Sequence, residues 1–268
     1  MGTGLCKRFG NDLKETEVVS EFLDRYFYSR LEIQFVYDSF DFGIKDYRRI
    51  DELGRQMKSC DVEIYDQDDQ IHIIEEKAAV HFINRDLKTF AFELLCRKKN
   101  AKSDDLQADY REGWLIREGQ ETEYYLLCWL QGDLEKFPPD RIHDPSSDDH
   151  SLCLEDITGV ECYLIKKQTL LDYLYDKDYD IRHLRNLARK MIRCNLEREA
   201  QNIQIQKRQK AKDGKGKPIG DFWFLQSKVD DTVINLLIKK ERLEELAAEI
   251  FFVTPKSCKI FKREDNVI

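Results

Sequence analysis

The sequence predicts an α+β fold in which a mixed central β-sheet is flanked by helices. Short segments rich in β-branched and aromatic residues are interspersed with longer amphipathic segments that are typical of helices. There is no internal repeat and no linker between independent units. Because 268 residues are enough for one large domain, we predict a single domain over residues 1–268. The alternative is two closely packed halves divided near an acidic loop at residues 133–156.

The first elements are a helix and a β-hairpin. Residues 15–31 form an amphipathic pattern, with Val19 and Phe22 on the apolar side. Two β-rich segments, at residues 60–66 and 71–77, flank the acidic turn DQDDQ. Two such segments joined by a short polar turn are typical of a hairpin.

Four further strands are predicted at residues 89–97, 113–117, 122–130 and 157–167. The second and third of these flank the polar stretch EGQE, which predicts another hairpin. The first three strands extend a core of about residues 15–130, and the last begins a C-terminal α/β extension of about residues 157–268.

The C-terminal extension alternates helical and extended patterns. We predict helices at residues 168–177, 179–199 and 241–250, strands at residues 220–228 and 231–240, and a short tail from residue 251. A basic, glycine-containing loop at residues 207–217 precedes the first of these two strands.

Composition indicates a soluble globular protein. Charged residues make up 36% of the chain and hydrophobic residues 41%, and no run approaches the roughly 20 apolar residues of a membrane helix. No secretory signal is recognised at the N-terminus. The eight cysteines lie singly, without a Cys-x-x-Cys spacing, which argues against zinc and favours small buried side chains in a reducing cytoplasm. We therefore expect a cytoplasmic protein without membrane contact.

Charged residues at the end of the second hairpin strand are the main functional signal. The segment IHIIEEK ends in Glu75, Glu76 and Lys77, and Asp61 begins the preceding strand. Because alternate side chains of a strand share a face, Glu75 and Lys77 point to one side and Glu76 to the other. If the strands pair, Asp61 approaches Glu75. Two carboxylates at close range favour a cation between them, and oxygen ligands suit Mg²⁺ or Mn²⁺.

This pattern resembles the PD-(D/E)XK (restriction-endonuclease-like) nuclease superfamily, with Asp61, Glu75 and Lys77 at the three signature positions. Within it, the stretch EEKAAVHFINRDLKTFAFEL looks like a group of uncharacterised bacterial and phage-type proteins. The resemblance covers about residues 15–130 and implies a helix before the hairpin and a mixed central sheet flanked by helices. It also implies metal-dependent hydrolysis of phosphodiester bonds in nucleic acid. The proline that usually precedes the aspartate is replaced here by Cys60.

Further carboxylates are candidate additional ligands. Some members of the superfamily add a glutamate from the first helix, which Glu17 or Glu21 would supply. Others in the same region of the chain are Glu63, Glu76 and Glu93. The alternative is that Glu75, Glu76 and Lys77 form a solvated strand end. Apolar residues on both sides of these three favour a position close to the core.

A basic segment stands out in a chain of net charge −8. It contains Lys207, Arg208, Lys210, Lys212, Lys215 and Lys217, which would hold the phosphates of nucleic acid. Arg185 and Arg189 on the preceding helix would extend that surface. The alternative is an ordinary solvated loop.

We expect ordinary structural roles for the isolated histidines and for the aromatic residues. His72 and His81 are expected to be surface or hydrogen-bonded residues rather than ligands. The aromatic residues Trp114, Tyr124, Tyr125 and Trp129 are expected to pack in the sheet, with base stacking as the alternative.

Two functions are compatible with these features. The first is a Mg²⁺- or Mn²⁺-dependent nuclease acting on nucleic acid, with DNA favoured over RNA. Asp61 and Glu75 would bind the metal, and Lys77 would assist the attacking water. The alternative is a catalytically inactive nucleic-acid or protein interaction module with the same fold.

Overall fold

The computed structural model describes residues 4–30, 44–50, 60–98, 109–144, 151–201, 208–227 and 233–261. Within these residues the fold is α+β, with a seven-stranded mixed sheet and a five-stranded antiparallel sheet. The predicted α+β class and the mixed sheet are thus confirmed.

Four α-helices and twelve β-strands lie in the described residues. The helices are α1 (Gly4–Leu23), α2 (Lys167–Tyr175), α3 (Ile181–Ala200) and α4 (Lys240–Leu246). The strands are β1 (Asp46–Arg49), β2 (Val62–Tyr65), β3 (Ile71–Ala78), β4 (Thr89–Arg97), β5 (Tyr110–Glu112), β6 (Tyr124–Gly132), β7 (Ile157–Lys166), β8 (Arg208–Lys212), β9 (Pro218–Ser227), β10 (Val233–Lys239), β11 (Glu249–Val253) and β12 (Cys258–Phe261).

The chain divides into two compact units, each assembled from separate segments. The first unit comprises the described residues within 1–87, 121–167 and 244–268, and the second those within 88–120 and 168–243. Neither unit corresponds to a half of the chain on one side of the acidic loop. The single domain proposed from the sequence stays a prediction.

The first unit contains the seven-stranded sheet, in the order β1-β2-β3-β6-β7-β11-β12. All neighbouring strands are antiparallel except β3 and β6, which are parallel. A parallel pair requires a crossover connection, and the chain between β3 and β6 supplies β4 and β5 of the second unit.

The hydrophobic core of the first unit lies between α1 and one side of the sheet. Val19 and Phe22 of α1 pack with Val62, Ile74 and Leu126 in this cluster. The helix continues through a π-helical turn, Asp24–Tyr28, whose last two residues are both buried. The predicted helix over residues 15–31 is confirmed through Arg30, and α1 begins earlier than predicted.

The predicted hairpin is confirmed by antiparallel pairing of β2 with β3, in which Val62 faces Ile74. Asp66 closes the turn, because its Oδ1 accepts hydrogen bonds from the backbone N–H groups of Asp68 and Gln70, at 2.9 and 2.8 Å. Asp69 takes a positive φ of 59°, a conformation that aspartate tolerates in turns.

The second unit contains the antiparallel sheet, in the order β5-β4-β10-β9-β8. One side of this sheet is buried, and its residues include Phe92, Phe222 and Phe224. Helix α3 contacts β4 and β10 and buries Leu184 and Ala188. The alternation of buried and half-buried residues along β10 is that of a sheet with one packed face.

The strand predicted at residues 113–117 is wrong, and so is its hairpin with residues 122–130. A strand of three residues, β5, ends at Glu112, and a turn follows. A Cβ at Gly113 would lie 2.2 Å from the carbonyl oxygen of Glu93, so glycine is needed where the chain leaves the sheet. The other segment, β6, pairs with β3 and β7.

The C-terminal tail and the basic loop are more ordered than the sequence suggested. The predicted tail forms β11 and β12, which extend the seven-stranded sheet. In the basic segment, Arg208–Lys212 forms the edge strand β8, and a turn connects it to β9.

Candidate active site at the β2–β3 hairpin

Asp61 lies one residue before β2 and is fixed against β3 by its backbone and its side chain. Its backbone N–H donates a hydrogen bond to the carbonyl oxygen of Ile74, at 3.1 Å. Its carboxylate Oδ2 accepts one from the backbone N–H of Glu76, at 2.8 Å. The aspartate is thereby held at the level of the charged end of β3.

The Glu75 carboxylate is buried and has a partner on each oxygen. Its side chain is 2% exposed, and Oε1 lies 2.6 Å from Nζ of Lys77. The hydroxyl of Thr122 donates to Oε2, at 3.1 Å. The side chain of Lys77 is 29% exposed, so its ammonium group connects a buried carboxylate to the solvent.

The surroundings of Asp61 show that the three predicted residues are in electrostatic reach of one another. Burial raises the pKa of the Asp61 carboxyl above its ordinary value, and the charge of Glu75 raises it further. The ammonium of Lys77, the N–H of Glu76 and the guanidinium of Arg49 lower the pKa but do not cancel the effect of burial. The ionised form of Asp61 is therefore incompletely compensated.

Three further residues near Glu75 were not linked to the site by the sequence. Thr122 donates to Glu75 as described. Tyr125 is the register partner of Glu75 on β6, and burial together with the Glu75 charge holds its pKa well above the ordinary value. Burial lowers the pKa of Lys167, whereas Glu75 raises it. No local pattern links these residues to the motif, because β6 and β7 reach β3 only through the fold.

Glu76, the neighbour of Glu75, lies in an ion-pair network on the α1 side of β3. Arg49 donates from Nη1 to Oε2 and from Nη2 to Oε1 of Glu76, at 2.9 and 3.0 Å. The same guanidinium binds Asp24 through Nε and Nη2, at 2.7 and 2.8 Å. Ser20 of α1 donates to Oε2 of Glu76, at 3.1 Å. Glu76 therefore attaches α1 and β1 to β3.

Ionisation of the Glu76 carboxyl remains unfavourable despite these partners. Burial raises the pKa of Glu76 and the charge of Asp61 also raises it, while the guanidinium of Arg49 lowers it. That Glu76 is an additional metal ligand stays a prediction, and in this structure its oxygens accept hydrogen bonds from Arg49 and Ser20.

The remaining candidate carboxylates lie on α1, β2 and β4. Glu17 and Glu21 are exposed on α1, and Glu21 pairs with Arg25, at 2.8 Å. Because α1 packs on the Ile74 side of the sheet, the proposed helix glutamate is not brought to Glu75. Glu63 is buried, and its Oε2 accepts a hydrogen bond from Tyr65, at 2.9 Å. Glu93 lies in β4 of the second unit, opposite Asn235.

The histidines have hydrogen-bond partners, as expected. His72 lies between Asp66 and Glu123, with both nitrogen–oxygen distances at 3.1 Å. Nδ1 of His81 is 3.2 Å from the carbonyl oxygen of His143. The predicted packing role of the aromatic residues holds for Tyr124, Tyr125 and Trp129, which are buried, and Trp114 contacts Phe92.

The basic residues are on or near β8 in the second unit. Arg208, Lys210, Lys212, Lys215 and Lys217 are exposed, and Lys207 lies outside the described residues. Arg185 and Arg189 of α3, which were suggested to extend this surface, both pair with Glu112.

Within the described ranges, no group of three or more histidine, cysteine, aspartate or glutamate residues is arranged to hold a metal ion. The Asp61–Glu75 pair offers two carboxylates. None of the described helices is both long and apolar enough to cross a membrane.

Comparison with protein-family models, with curated proteins and with solved structures gave no match to this chain.

Proposed function

We propose that this protein is a metal-dependent phosphodiesterase that cleaves nucleic acid, with Asp61, Glu75 and Lys77 as its catalytic residues. The observation that carries the proposal is the contact of Lys77 with the buried Glu75, together with the Asp61 carboxylate at the backbone N–H of the next residue, Glu76. The charges of Glu75 and Lys77 both affect the pKa of the Asp61 carboxyl. The ammonium group of Lys77 contacts Glu75 directly.

The order of elements in the first unit supports a core of the PD-(D/E)XK type. A helix precedes the hairpin and packs on one side of a mixed sheet. The charged end of β3 carries the Glu-x-Lys pair, and Asp61 lies one residue before β2. The proposed core departs from the resemblance at Cys60, which replaces the proline before the aspartate, and no glutamate from α1 joins the pair.

The donor set fits a divalent metal of the magnesium type. Mg²⁺ and Mn²⁺ favour carboxylate oxygens and retain several waters, so one or two carboxylates suffice. Burial makes the ionised Asp61 unfavourable, and a cation beside it would supply the missing compensation. Asp61 and Glu75 would hold the ion, which would acidify a bound water and neutralise charge on a phosphate.

Lys77 is suited to act on the reacting groups because its side chain is partly exposed, whereas that of Glu75 is buried. Its ammonium group would orient the attacking water and stabilise negative charge that develops on the phosphate oxygens. Glu75 holds this ammonium at 2.6 Å, and Thr122 fixes the other oxygen of Glu75. The three side chains thus form a positioned unit.

The second candidate function is a binding module without catalysis. The observation in its favour is that both oxygens of Glu75 already have partners, Lys77 and Thr122. An ammonium group in this position can replace a metal ion as the compensating cation. The two candidates therefore differ in whether a divalent ion binds at Asp61 and Glu75.

Isothermal titration with Mn²⁺ and with Mg²⁺, in the absence of nucleic acid, distinguishes these functions. The wild-type chain should bind an ion that Asp61→Asn and Glu75→Gln no longer bind. Glu21→Gln is the matched control, because Glu21 is an exposed carboxylate on α1. Equal binding by all four proteins would contradict the proposed ligands. Cleavage of plasmid DNA that survives Glu75→Gln would contradict the catalytic role.

A further inference from the structure

The five-stranded sheet of the second unit has one packed side and one half-buried side. Along β9, Phe222, Phe224 and Gln226 are buried, whereas the residues between them, Trp223 and Leu225, are half-buried. On β10, Leu237 is the register partner of Trp223 and is also half-buried. The second side therefore presents an aromatic ring beside aliphatic side chains.

The edge strand β8 adds cations to this second side. Arg208, Lys210 and Lys212 are exposed, whereas Ala211 between the two lysines is buried. Lys210 is the register partner of Trp223. The guanidinium carbon of Arg208 lies over the Trp223 ring, 4.2 Å from its centroid, which is a close cation–π contact.

The turn after β8 carries further cations on an ordered backbone. Oδ1 of Asp213 accepts hydrogen bonds from the N–H groups of Lys215 and Lys217, at 3.0 and 2.8 Å. Gly216 has a φ of +80°, which favours glycine at this point of the turn. The two exposed lysines thus project from a defined hairpin, although the chain as a whole has a net charge of −8.

We propose that this surface binds single-stranded nucleic acid. We call it the Trp223 face, and it consists of Arg208, Lys210, Lys212, Trp223, Leu225 and Leu237. A base stacks on the Arg208–Trp223 pair, and the lysines hold the neighbouring phosphates. The exposed cations favour a polyanion as the ligand. The half-buried ring of Trp223 favours a single strand, because the faces of its bases are accessible and those of a duplex are not.

This inference deepens the proposed function and rests on it only for the class of ligand. Cleavage is not required, because every residue of the Trp223 face lies in the second unit, whereas Asp61, Glu75 and Lys77 lie in the first. Binding and cleavage can therefore be tested separately.

Fluorescence anisotropy with labelled oligo(dT), in buffer containing EDTA, tests the proposal on the full chain. Trp223→Ala should weaken binding by about 5- to 150-fold, the range expected for the loss of one stacked base. Trp223→Phe should retain most of the affinity because an aromatic ring remains. Trp223→Phe and the exposed-residue variants below keep the test valid if Trp223→Ala folds poorly.

The salt dependence provides an independent measurement. A triple variant, Arg208→Gln with Lys210→Gln and Lys212→Gln, should reduce the slope of log K against log salt by about 2, since each lost phosphate contact contributes about 0.7 for a single strand. Lys256→Gln with Lys259→Gln is the control, because both residues are exposed in the first unit.

Several outcomes would overturn the proposal. The wild-type chain would contradict it by failing to bind oligo(dT), or by binding a duplex or poly-glutamate with equal affinity. An unchanged oligo(dT) affinity in Trp223→Ala, or an unchanged salt slope in the triple variant, would also contradict it. Binding that depends on Trp223 in a protein without cleavage would contradict only the nuclease proposal. Cleavage that persists with unaltered oligonucleotide affinity in Trp223→Ala would contradict only the Trp223 face.

Discussion

The two sides of β3 use adjacent glutamates in different ways. On the α1 side, Glu76 is bound by Arg49 and Ser20, which belong to β1 and α1. On the opposite side, Glu75 is bound by Lys77 from its own strand and by Thr122. Arg49 is further fixed by Asp24, whereas Lys77 is partly exposed.

This difference indicates a structural role for the ion pairs of Glu76 and a functional role for the pair of Glu75 with Lys77. The planar guanidinium of Arg49 binds two carboxylates with paired hydrogen bonds, which is suited to a fixed connection between elements. The ammonium of Lys77 has a flexible stem and access to solvent, which suits a group that contacts substrate. We therefore expect substitutions on the α1 side to affect stability, and those on the Glu75 side to affect cleavage.

Arg49→Ala should have the largest effect on stability. It leaves the buried carboxylate of Glu76 and that of Asp24 without their shared cation, and loss of one partner of a buried ion pair costs about 3–5 kcal/mol. Urea unfolding monitored by circular dichroism measures the change. Arg25→Ala is the matched control, because its pair with Glu21 is exposed and should contribute less than about 1 kcal/mol. Equal losses in the two variants would contradict the structural role of Arg49.

Lys77→Met should have the largest effect on activity. We expect the cleavage rate to fall by about 100- to 1000-fold, as for the loss of one group that stabilises transition-state charge. The loss of unfolding free energy should be smaller than in Arg49→Ala, because Lys77 pairs with one carboxylate whereas Arg49 pairs with two. Lys259→Met, an exposed substitution in β12, is the control for the loss of a lysine. Wild-type cleavage by Lys77→Met would exclude Lys77 from the reaction.

Asp61→Asn should stabilise the metal-free protein by about 1–2 kcal/mol at neutral pH, as substitutions at strained functional sites often do. The pKa of Asp61 is raised in the folded state, so the folded protein binds a proton more tightly than the unfolded chain. The resulting stabilisation is complete below the unfolded pKa and is lost as the pH rises through the folded pKa.

The difference between wild type and Asp61→Asn should therefore be small in acid and increase with pH to a plateau. Thermal unfolding in EDTA at a series of pH values measures it. A difference that decreases as the pH rises would show that the buried carboxylate is compensated when ionised.

Ser20→Ala and Thr122→Val should have the smallest effects and compare the two sides directly. Each substitution removes one hydroxyl that donates to a glutamate of β3, which should lower the unfolding free energy by about 1 kcal/mol. Only Thr122→Val should also lower the cleavage rate, because Thr122 orients Glu75. Equal cleavage rates in both variants would mean that the orientation of Glu75 does not matter for the reaction.

Local patterns in the sequence were sufficient for the elements around the site. Alternation along IHIIEEK predicted that Glu75 and Lys77 share one side of a strand, and the contact between their side chains agrees with this. The turn DQDDQ predicted the hairpin that holds Asp61 beside β3. These features depend on neighbours within a few residues, which a single sequence displays directly.

Longer-range features were missed for a common reason. The segment containing Arg49 has no clear periodicity, yet Arg49 is the principal partner of Glu76. The strands β5 and β6 are consecutive in the chain, yet they belong to different sheets. Strand partners depend on which apolar faces can be buried together, and several arrangements satisfy the same local pattern.

The sequence by itself determined the β2–β3 hairpin and the separation of Glu75 from Glu76 on opposite sides of β3, because the period of two in a strand is a property of the local backbone. Only the tertiary structure decided that α1 packs on the side of Glu76, and that Arg49 and Ser20 therefore bind this carboxylate. It likewise decided that Thr122 reaches Glu75. Burial and electrostatic compensation are created by residues distant in the chain, so the same carboxylate has a structural or a functional role according to what the fold places beside it.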